Sequence, residues 1–559
     1  MKSHMTGSKL LQGAFILSAA ALLSKLIGTL QKIPLQNLGG DAVFGIYNTV
    51  YPIYTLLVTV AMLGLPSAVS KFVAETEAGG SPGEGRTVLL RAALVSGAAG
   101  LLLAAGTYAG APLIARFIGS GHVVSALRTA AWGLAVVPLM AAFRGYFQGL
   151  HNMMPTAVSQ IFEQSARVAV MIALLLFLSS RGANAEMIAA GALLGSAGGG
   201  IAGLAVMLLY WRRHRKAKAD AAAEISAAAE AAPLNPEVLS HAASSAISKA
   251  DGREIRKLLA YGVPVMLGML AAPLISLVDV FTMPRLLASA GGEAQAMVQF
   301  GIYNRGVPLV QLVTMLATSL SVLFIPALAE SKFRGNLSEV ESRCRLSLRW
   351  FWLLGLAAAA GLAVLAVPVN IALYGDASGS GTIRWLAFTA AGGTVSIISA
   401  ALLQGLGYVR APALHFLAAA ALKAALNLLL VPQQGIAGAA IAAVVAQGLA
   451  AALNVRLLCK AAGLRLRPAD WLARPAALLA GLAAAAAAVS WGCGALLDAA
   501  GMDGRIAALA QSLLGVAAGC LVFAVLAVRL RLLDEGELRQ LPGLGPKLAR
   551  AIRKLGLFP

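Results

Sequence analysis

Fourteen stretches of this chain run for about 20 or more residues with almost no charge, the length an α-helix needs to cross the hydrocarbon of a bilayer. They fall near residues 11–30, 47–72, 88–114, 124–147, 155–178 and 187–211, then 255–281, 297–328, 346–374, 383–406, 412–431 and 436–458, and finally 471–496 and 506–528. With 59% hydrophobic and only 12% charged residues over 559 positions, folding in water would leave large apolar surface exposed. The chain reads as an all-α polytopic membrane protein of about 14 transmembrane helices. The N-terminal apolar run continues into Lys25 without a small-residue cleavage site, so it reads as a first span and not as a removed signal.

A repeat organises these spans. Tyr47, Asn48 and Pro52 recur 256 residues later as Tyr303, Asn304 and Pro308, and the same offset carries Gln148, Gly149 and Leu150 onto Gln404, Gly405 and Leu406. Two landmarks at one spacing indicate a duplicated half. The expected layout is an N-terminal six-helix lobe (1–211), a linker (212–253), a pseudo-symmetric second six-helix lobe (254–460), two further helices (461–533) and a basic tail (534–559). Each lobe has an even number of spans, so both copies run in the same direction, with a central cavity expected between them.

The net charge of +20 is a topology signal. With the N-terminus inside, only Lys32, Arg116, Arg128, Arg181, Arg285, Arg384 and Arg505 fall in outside segments, whereas most of the 44 lysines and arginines fall inside. Both termini and the alanine-rich linker are therefore expected in the cytoplasm. The tail stretch LPGLGPKLARAIRKLG (541–556) is like a helix-hairpin-helix turn, but a basic helix beside an anionic leaflet explains the same residues, and no nucleic-acid partner is expected. Cys344, Cys459, Cys493 and Cys520 are scattered singly and suggest neither a metal site nor a disulfide framework.

Charges inside apolar spans need a reason. Lys25, Arg167, Arg305 and Lys423 are the membrane-level cations, and Glu163 and Asp279 the acids. Asn48, Thr55 and Thr59 form one polar stripe, and Asn304, Gln311 and Thr318 another, both expected to face an aqueous cavity. Thr156, Ser159, Gln160, Glu163 and Arg167 share a face by their 3,4,3,4 spacing; a cavity lining and a packing seam with Glu163 and Arg167 paired at i, i+4 both fit. Lys25 either lines the cavity or snorkels. Asp279 fits a coupling-ion or proton site with Asn427 as an oxygen ligand, or a salt bridge with Lys423.

Four stretches together resemble a known family: SKLIGTLQKIPLQNLGGD (24–41), YPIYTLLVTVAMLGLPSAVSKFVAE (51–75), FRGYFQGLHNMMPTAVSQIFEQSARV (143–168) and YNRGVPLVQL (303–312). They look like the SpoVB-type polysaccharide transporters, relatives of the MurJ-type lipid II flippases in the superfamily that includes the MATE exporters. The resemblance implies two lobes around a cationic cavity, a groove for a polyprenyl tail at the last two helices, and outward movement of a lipid-linked sugar diphosphate by alternating access across a bacterial plasma membrane. It places Lys25 where the flippases' first-helix motif has arginine and Arg305 on their eighth-helix arginine. No counterpart is evident for the second-helix arginine of the lipid II flippases, where this chain is apolar around Met62. The candidate substrate residues are thus Arg305, Lys25, Asn304, Gln311, Asn48, Thr55, Arg167 and Glu163, and the ion-coupling candidates Asp279 and Asn427. A monomeric, non-enzymatic transporter without cofactor beyond a coupling Na+ or H+ is expected. A MATE-type drug and cation antiporter is the alternative; a membrane glycosyltransferase would need a catalytic carboxylate in a sizeable aqueous loop, and the outside loops are short and poor in acids.

Overall fold

The computed structural model describes residues 2–79, 84–230, 252–270, 273–464, 469–502, 504–530, 532 and 550. Linker residues 231–251 and, apart from Arg550, the tail 534–559 lie outside them. The described residues hold eighteen α-helices. They are α1 (Lys2–Leu30), α2 (Lys32–Met62), α3 (Leu65–Ala78), α4 (Glu84–Ile118), α5 (Val124–Gly149), α6 (Met154–Ser180), α7 (Ala185–Glu230), α8 (Gly252–Leu270), α9 (Pro273–Asn304), α10 (Gly306–Phe333), α11 (Leu337–Val364), α12 (Ala366–Tyr374), α13 (Ser380–Ala387), α14 (Thr389–Gly405), α15 (Arg410–Gln434), α16 (Ile436–Ala462), α17 (Arg474–Ala499) and α18 (Gly504–Arg529). Among the described residues, 12 segments are long and apolar enough to cross a membrane. Two of these, Phe15–Ala78 and Leu274–Ser319, are long enough to take in parts of two expected spans each.

The chain divides into two compact units, one of Met1–Gln31 with Ile46–Pro273 and the other of Lys32–Gly45 with Leu274–Pro559. In the first unit, α7 packs on α6 through a ladder of glycines. A Cβ on Gly195 would lie 2.6 Å from the Arg167 carbonyl oxygen, and one on Gly199 2.6 Å from that of Glu163. Gly203 continues the row against Glu163 and Ser159. Small residues every fourth position let two backbones approach closely, which is how helices associate in lipid. The polar face of α6 is therefore held on a rigid backing. Beyond its apolar part α7 continues without a break from Trp211 to Glu230, and Lys218 reaches Glu77 of α3 at 3.3 Å. Alanine, lysine, arginine and glutamate all favour helix, so the first part of the expected tether, residues 212–230, is an extension of a transmembrane helix.

In the second unit the two copies of the repeat share a backbone irregularity. Gly40 (φ 78, ψ 174) interrupts α2, and Gly292 (φ 82, ψ 168) interrupts α9, a conformation open in practice to glycine alone. Downstream, α9 ends at Asn304 and α10 starts at Gly306 while Arg305 itself keeps helical angles (φ −60, ψ −34). Pro308 has no N–H to offer the Asn304 carbonyl, so the ladder breaks there without a bend in the backbone at Arg305. The buried interior of this unit includes Phe351, Ile398, Leu402 and Leu458 from α11, α14 and α16, and α17 packs beside α18.

Candidate functional site

Among the described residues, three clusters of buried charge come out of this framework, one in the first unit and two in the second. In the first, Glu163 bridges two arginines: its Oε1 accepts from Arg167 Nη2 at 2.8 Å and its Oε2 from Arg144 Nη2 at 2.9 Å. Arg144 also donates through Nε and Nη2 to Ser159 Oγ at 3.2 and 2.8 Å, and that hydroxyl donates to the Gly203 carbonyl at 3.0 Å. Arg167 Nη1 donates to the Tyr51 hydroxyl at 3.0 Å. Arg167 Nε is buried without a hydrogen-bond partner, an unmet donor that costs free energy unless something binds there. Two guanidiniums on one carboxylate leave this cluster with a charge of about +1 and unspent N–H groups.

The i, i+4 pair of Glu163 and Arg167, one of the two readings open from sequence, is present, but a third member joins it. Arg144 reads from sequence as a basic residue of an inside segment because it lies close to the end of an apolar run. The α5–α6 hairpin returns it against Ser159 and Glu163. Its one sequence signal is the stretch FRGYFQG, quoted above for the family resemblance. Lys25 lies one turn before Gly28 of α1, where α1 meets Gln164 of α6; it is exposed and has no ion-pair partner among the described residues. Thr55 turns back onto the Pro52 carbonyl at 2.9 Å and is part-buried, and Asn48 is buried.

The second cluster surrounds Asp279. Lys423 Nζ lies 2.6 Å from its Oδ2, the Tyr303 hydroxyl donates to the same oxygen at 2.9 Å, and Asn427 Nδ2 donates to Oδ1 at 3.1 Å and to Thr282 Oγ1 at 2.9 Å. Asn427 turns its nitrogen toward Asp279, while its Oδ1 is buried without a partner. Of the readings open to Asp279 from sequence, the geometry is that of an ion pair with Lys423, whose ammonium stands where a bound cation would stand.

The third cluster contains Arg305, 1% exposed. Its Nε and Nη2 donate to Asp41 at 2.8 and 2.6 Å, and its Nη1 and Nη2 to Asp376 at 2.7 and 3.0 Å. The Tyr374 hydroxyl donates to the Arg305 carbonyl at 2.9 Å. Asp376 lies in the turn after α12, outside the spans, where hydrogen bonds from the guanidinium hold its carboxyl down at about 2. Arg305 is therefore saturated by two acids, and the cluster has a charge of about −1. Neighbouring Asn304 spends its amide on the Phe300 carbonyl at 2.8 Å, and Gln311 is exposed on α10. Asn37 and Arg505 add a polar tie beside this cluster, Arg505 Nη2 donating to Asn37 Oδ1 at 2.6 Å and to the Leu373 carbonyl at 2.9 Å. Lys32, placed in an outside segment by the sequence, is buried at the start of α2 and has no carboxylate partner among the described residues. Where α17 and α18 meet α11, a cavity of about 410 Å³ is lined by Val364, Ser490, Trp491, Gly494, Asp498 and Gln511.

Residues 10–332 match the family model described as polysaccharide biosynthesis protein. Among proteins of Bacillus subtilis (strain 168), the chain is 32% identical to the uncharacterized membrane protein YabM, covering 97% of this chain and 96% of the relative. It is 27% identical to the lipid II flippase MurJ (78% and 80%) and 25% identical to stage V sporulation protein B (98% and 100%). Its fold superposes on a solved lipid II flippase MurJ in an inward closed conformation with a TM-score of 0.63 at 12% identity, covering 92% of this chain and all of that one. A solved MATE family multidrug transporter gives 0.58 at 15% identity, with 79% and 94% covered. The fold is MurJ- and MATE-like, and by sequence the chain belongs to the polysaccharide biosynthesis protein family.

Proposed function

We propose that this protein is a flippase that carries a polyprenyl diphosphate-linked sugar or peptidoglycan precursor outward across a bacterial plasma membrane by alternating access. The observation that carries this reading is the residual positive charge at Arg144, Glu163 and Arg167. Of the three buried clusters, it is the one with more guanidinium than carboxylate. A diphosphate supplies the missing negative charge, and arginine binds it through paired N–H groups, while the polyprenyl tail remains in lipid. Lys25, on the helix that packs along α6, adds a further cation to the same unit. In this reading Asn48 and Thr55 are polar neighbours of the head-group path, Arg305 with Asn304 and Gln311 serves the transport cycle from the second unit, and Asp279, already occupied by Lys423 and Asn427, is a structural ion pair and not the ion-coupling site. Both termini lie in the cytoplasm. Its 27% identity to the lipid II flippase MurJ supports the same class of cargo.

A MATE-type antiporter would need a carboxylate free to receive a cation. Glu163, Asp279 and Asp41 are each already paired with lysine or arginine. The test is reconstitution in proteoliposomes. Arg167→Gln and Arg144→Gln should each slow flipping of a lipid-linked sugar about tenfold or more, the worth of one lost charge-assisted contact, and leave export of a cationic dye no lower. Lost dye export with normal lipid flipping would reverse the assignment.

A further inference from the structure

Glu163 occupies the two arginines in the way a phosphate would. One oxygen goes to each guanidinium, at 2.8 and 2.9 Å. A carboxylate has only two oxygens, and here both are spent. Arg167 Nε, on a residue 8% exposed, is left without a partner. An anion with more oxygens than a carboxylate would satisfy that nitrogen as well as the two contacts Glu163 makes.

The surroundings allow the exchange. The backbone of α6 is fixed, because the Glu163 and Arg167 carbonyls lie against Gly199 and Gly195 with no room for a Cβ. Ser159 pins Arg144 from its other edge, and Tyr51 pins Arg167. The Glu163 side chain is tied only by its two ion pairs, so it can swing away while the two arginines stay in position.

We propose that Glu163 is a displaceable internal stand-in for the phosphate of the cargo. It neutralises the arginine pair while the site is empty, yields to the diphosphate on loading, and returns to expel it on release. This rests on the reading of the cluster as the head-group site. It assigns Glu163 a positioning and release role opposite in sign to that of the arginines: the arginines raise affinity and Glu163 lowers it. A site with two bare arginines would hold a diphosphate so firmly that unloading would limit each cycle. A carboxylate within reach of both removes that trap.

The experiment uses the full-length protein in nanodiscs and inorganic pyrophosphate as the probe, with binding read from the shift in thermal unfolding. Glu163→Gln keeps the shape and removes the competing charge. It should bind pyrophosphate about tenfold tighter than the unaltered protein and, in proteoliposomes, flip lipid-linked sugar more slowly. Arg167→Gln should bind about tenfold more weakly. Should the Gln variant fail to fold, Glu163→Asp, which keeps the charge but is too short to bridge both arginines, should bind pyrophosphate more tightly than the unaltered protein. If either Glu163 variant binds as weakly as Arg167→Gln, Glu163 merely holds the arginines in place and the proposal fails. If Arg144→Gln and Arg167→Gln both flip lipid at the unaltered rate, the head-group reading itself falls. If both arginine variants lose flipping and Glu163→Gln gains no affinity, only the stand-in role is lost.

Discussion

Gly45 and Gly301 meet the opposite copy of the repeat at matched positions. A Cβ on Gly45 would lie 1.9 Å from the Met297 carbonyl oxygen, and one on Gly301 would lie 2.0 Å from the Asp41 carbonyl oxygen. Each glycine thus seats the backbone four residues before its counterpart, and both pairs belong to the second unit. The two repeated helices cross with no side chain between them.

Alanine at either position should therefore be costly, because the atom it would strike is backbone on both sides. Gly45→Ala and Gly301→Ala should each destabilise by about 1–3 kcal/mol, the usual scale of overpacking. The double variant should cost less than the sum, since the first substitution already parts the helices. Thermal unfolding in detergent or nanodiscs measures this. Additive effects would mean that the two contacts are independent.

At Arg305 the two carboxylates are unequal. Asp41 is mostly buried, whereas the Asp376 side chain is 48% exposed, so water can replace part of what the guanidinium gives it. Asp41→Asn should therefore destabilise more than Asp376→Asn. Replacing Arg305 itself should cost most, because it leaves two acids facing each other. The pH dependence follows from the folded Asp376 value near 2, below the ordinary 3.8. A depressed carboxyl gives stability that is fully present above its unfolded value and is lost as pH falls through the folded one. The stability difference between the unaltered protein and Asp376→Asn should thus be flat above about pH 4 and shrink below it. A difference that changes around neutral pH would show that another group titrates there.

What the sequence made legible follows the range of the interactions. Apolar runs are local, so the membrane-spanning helices could be placed from composition. The i, i+4 geometry of Glu163 and Arg167 is local too, which is why their pairing was one of the readings open from sequence. Repetition is visible because it needs only comparison of the chain with itself. The partners of Arg305 were hidden for the opposite reason. Asp41 is 264 residues away and Asp376 is 71, and no periodicity links an arginine to an acid in a distant helix or turn. Arg144 was hidden by its position near a helix end, where a basic residue ordinarily reports membrane side. The glycine ladder of α7 was present in the sequence as Gly195, Gly199 and Gly203, but its meaning depends on which helix lies against it.

That ladder gives a further prediction. A Cβ on Gly199 would meet the Glu163 carbonyl at 2.6 Å and the Arg167 Cβ at 2.9 Å, so Gly199→Ala pushes α6 away from α7 at the level of the charged site. Stability should fall by about 1–3 kcal/mol, and pyrophosphate binding should fall with it even though no charge has changed. Gly182→Ala is not a suitable control, because Gly182 has a positive φ of 68. Gly106→Ala is suitable, because open space surrounds that position on α4. Equal effects of Gly106→Ala and Gly199→Ala on binding would remove the ladder from the argument.

Asp279 and Lys423 supply the last prediction. Each is buried, and each is the other's counter-ion at 2.6 Å. Removing one partner of a buried pair strands a charge at about 3–5 kcal/mol, whereas removing both costs far less. Asp279→Asn and Lys423→Met should therefore each destabilise strongly, and the double variant should recover most of the loss. Transport separates structure from coupling. Because the lysine ammonium already sits on the carboxylate, the unaltered protein should flip its cargo equally well in sodium and in choline buffers. Lys423→Ala opens the space beside Asp279, and its thermal stability should rise when sodium is added, because a free cation takes over the role of the missing ammonium. Sodium-dependent flipping by the unaltered protein would show that a coupling site lies elsewhere, and no sodium effect on Lys423→Ala would show that no free cation replaces the ammonium beside Asp279.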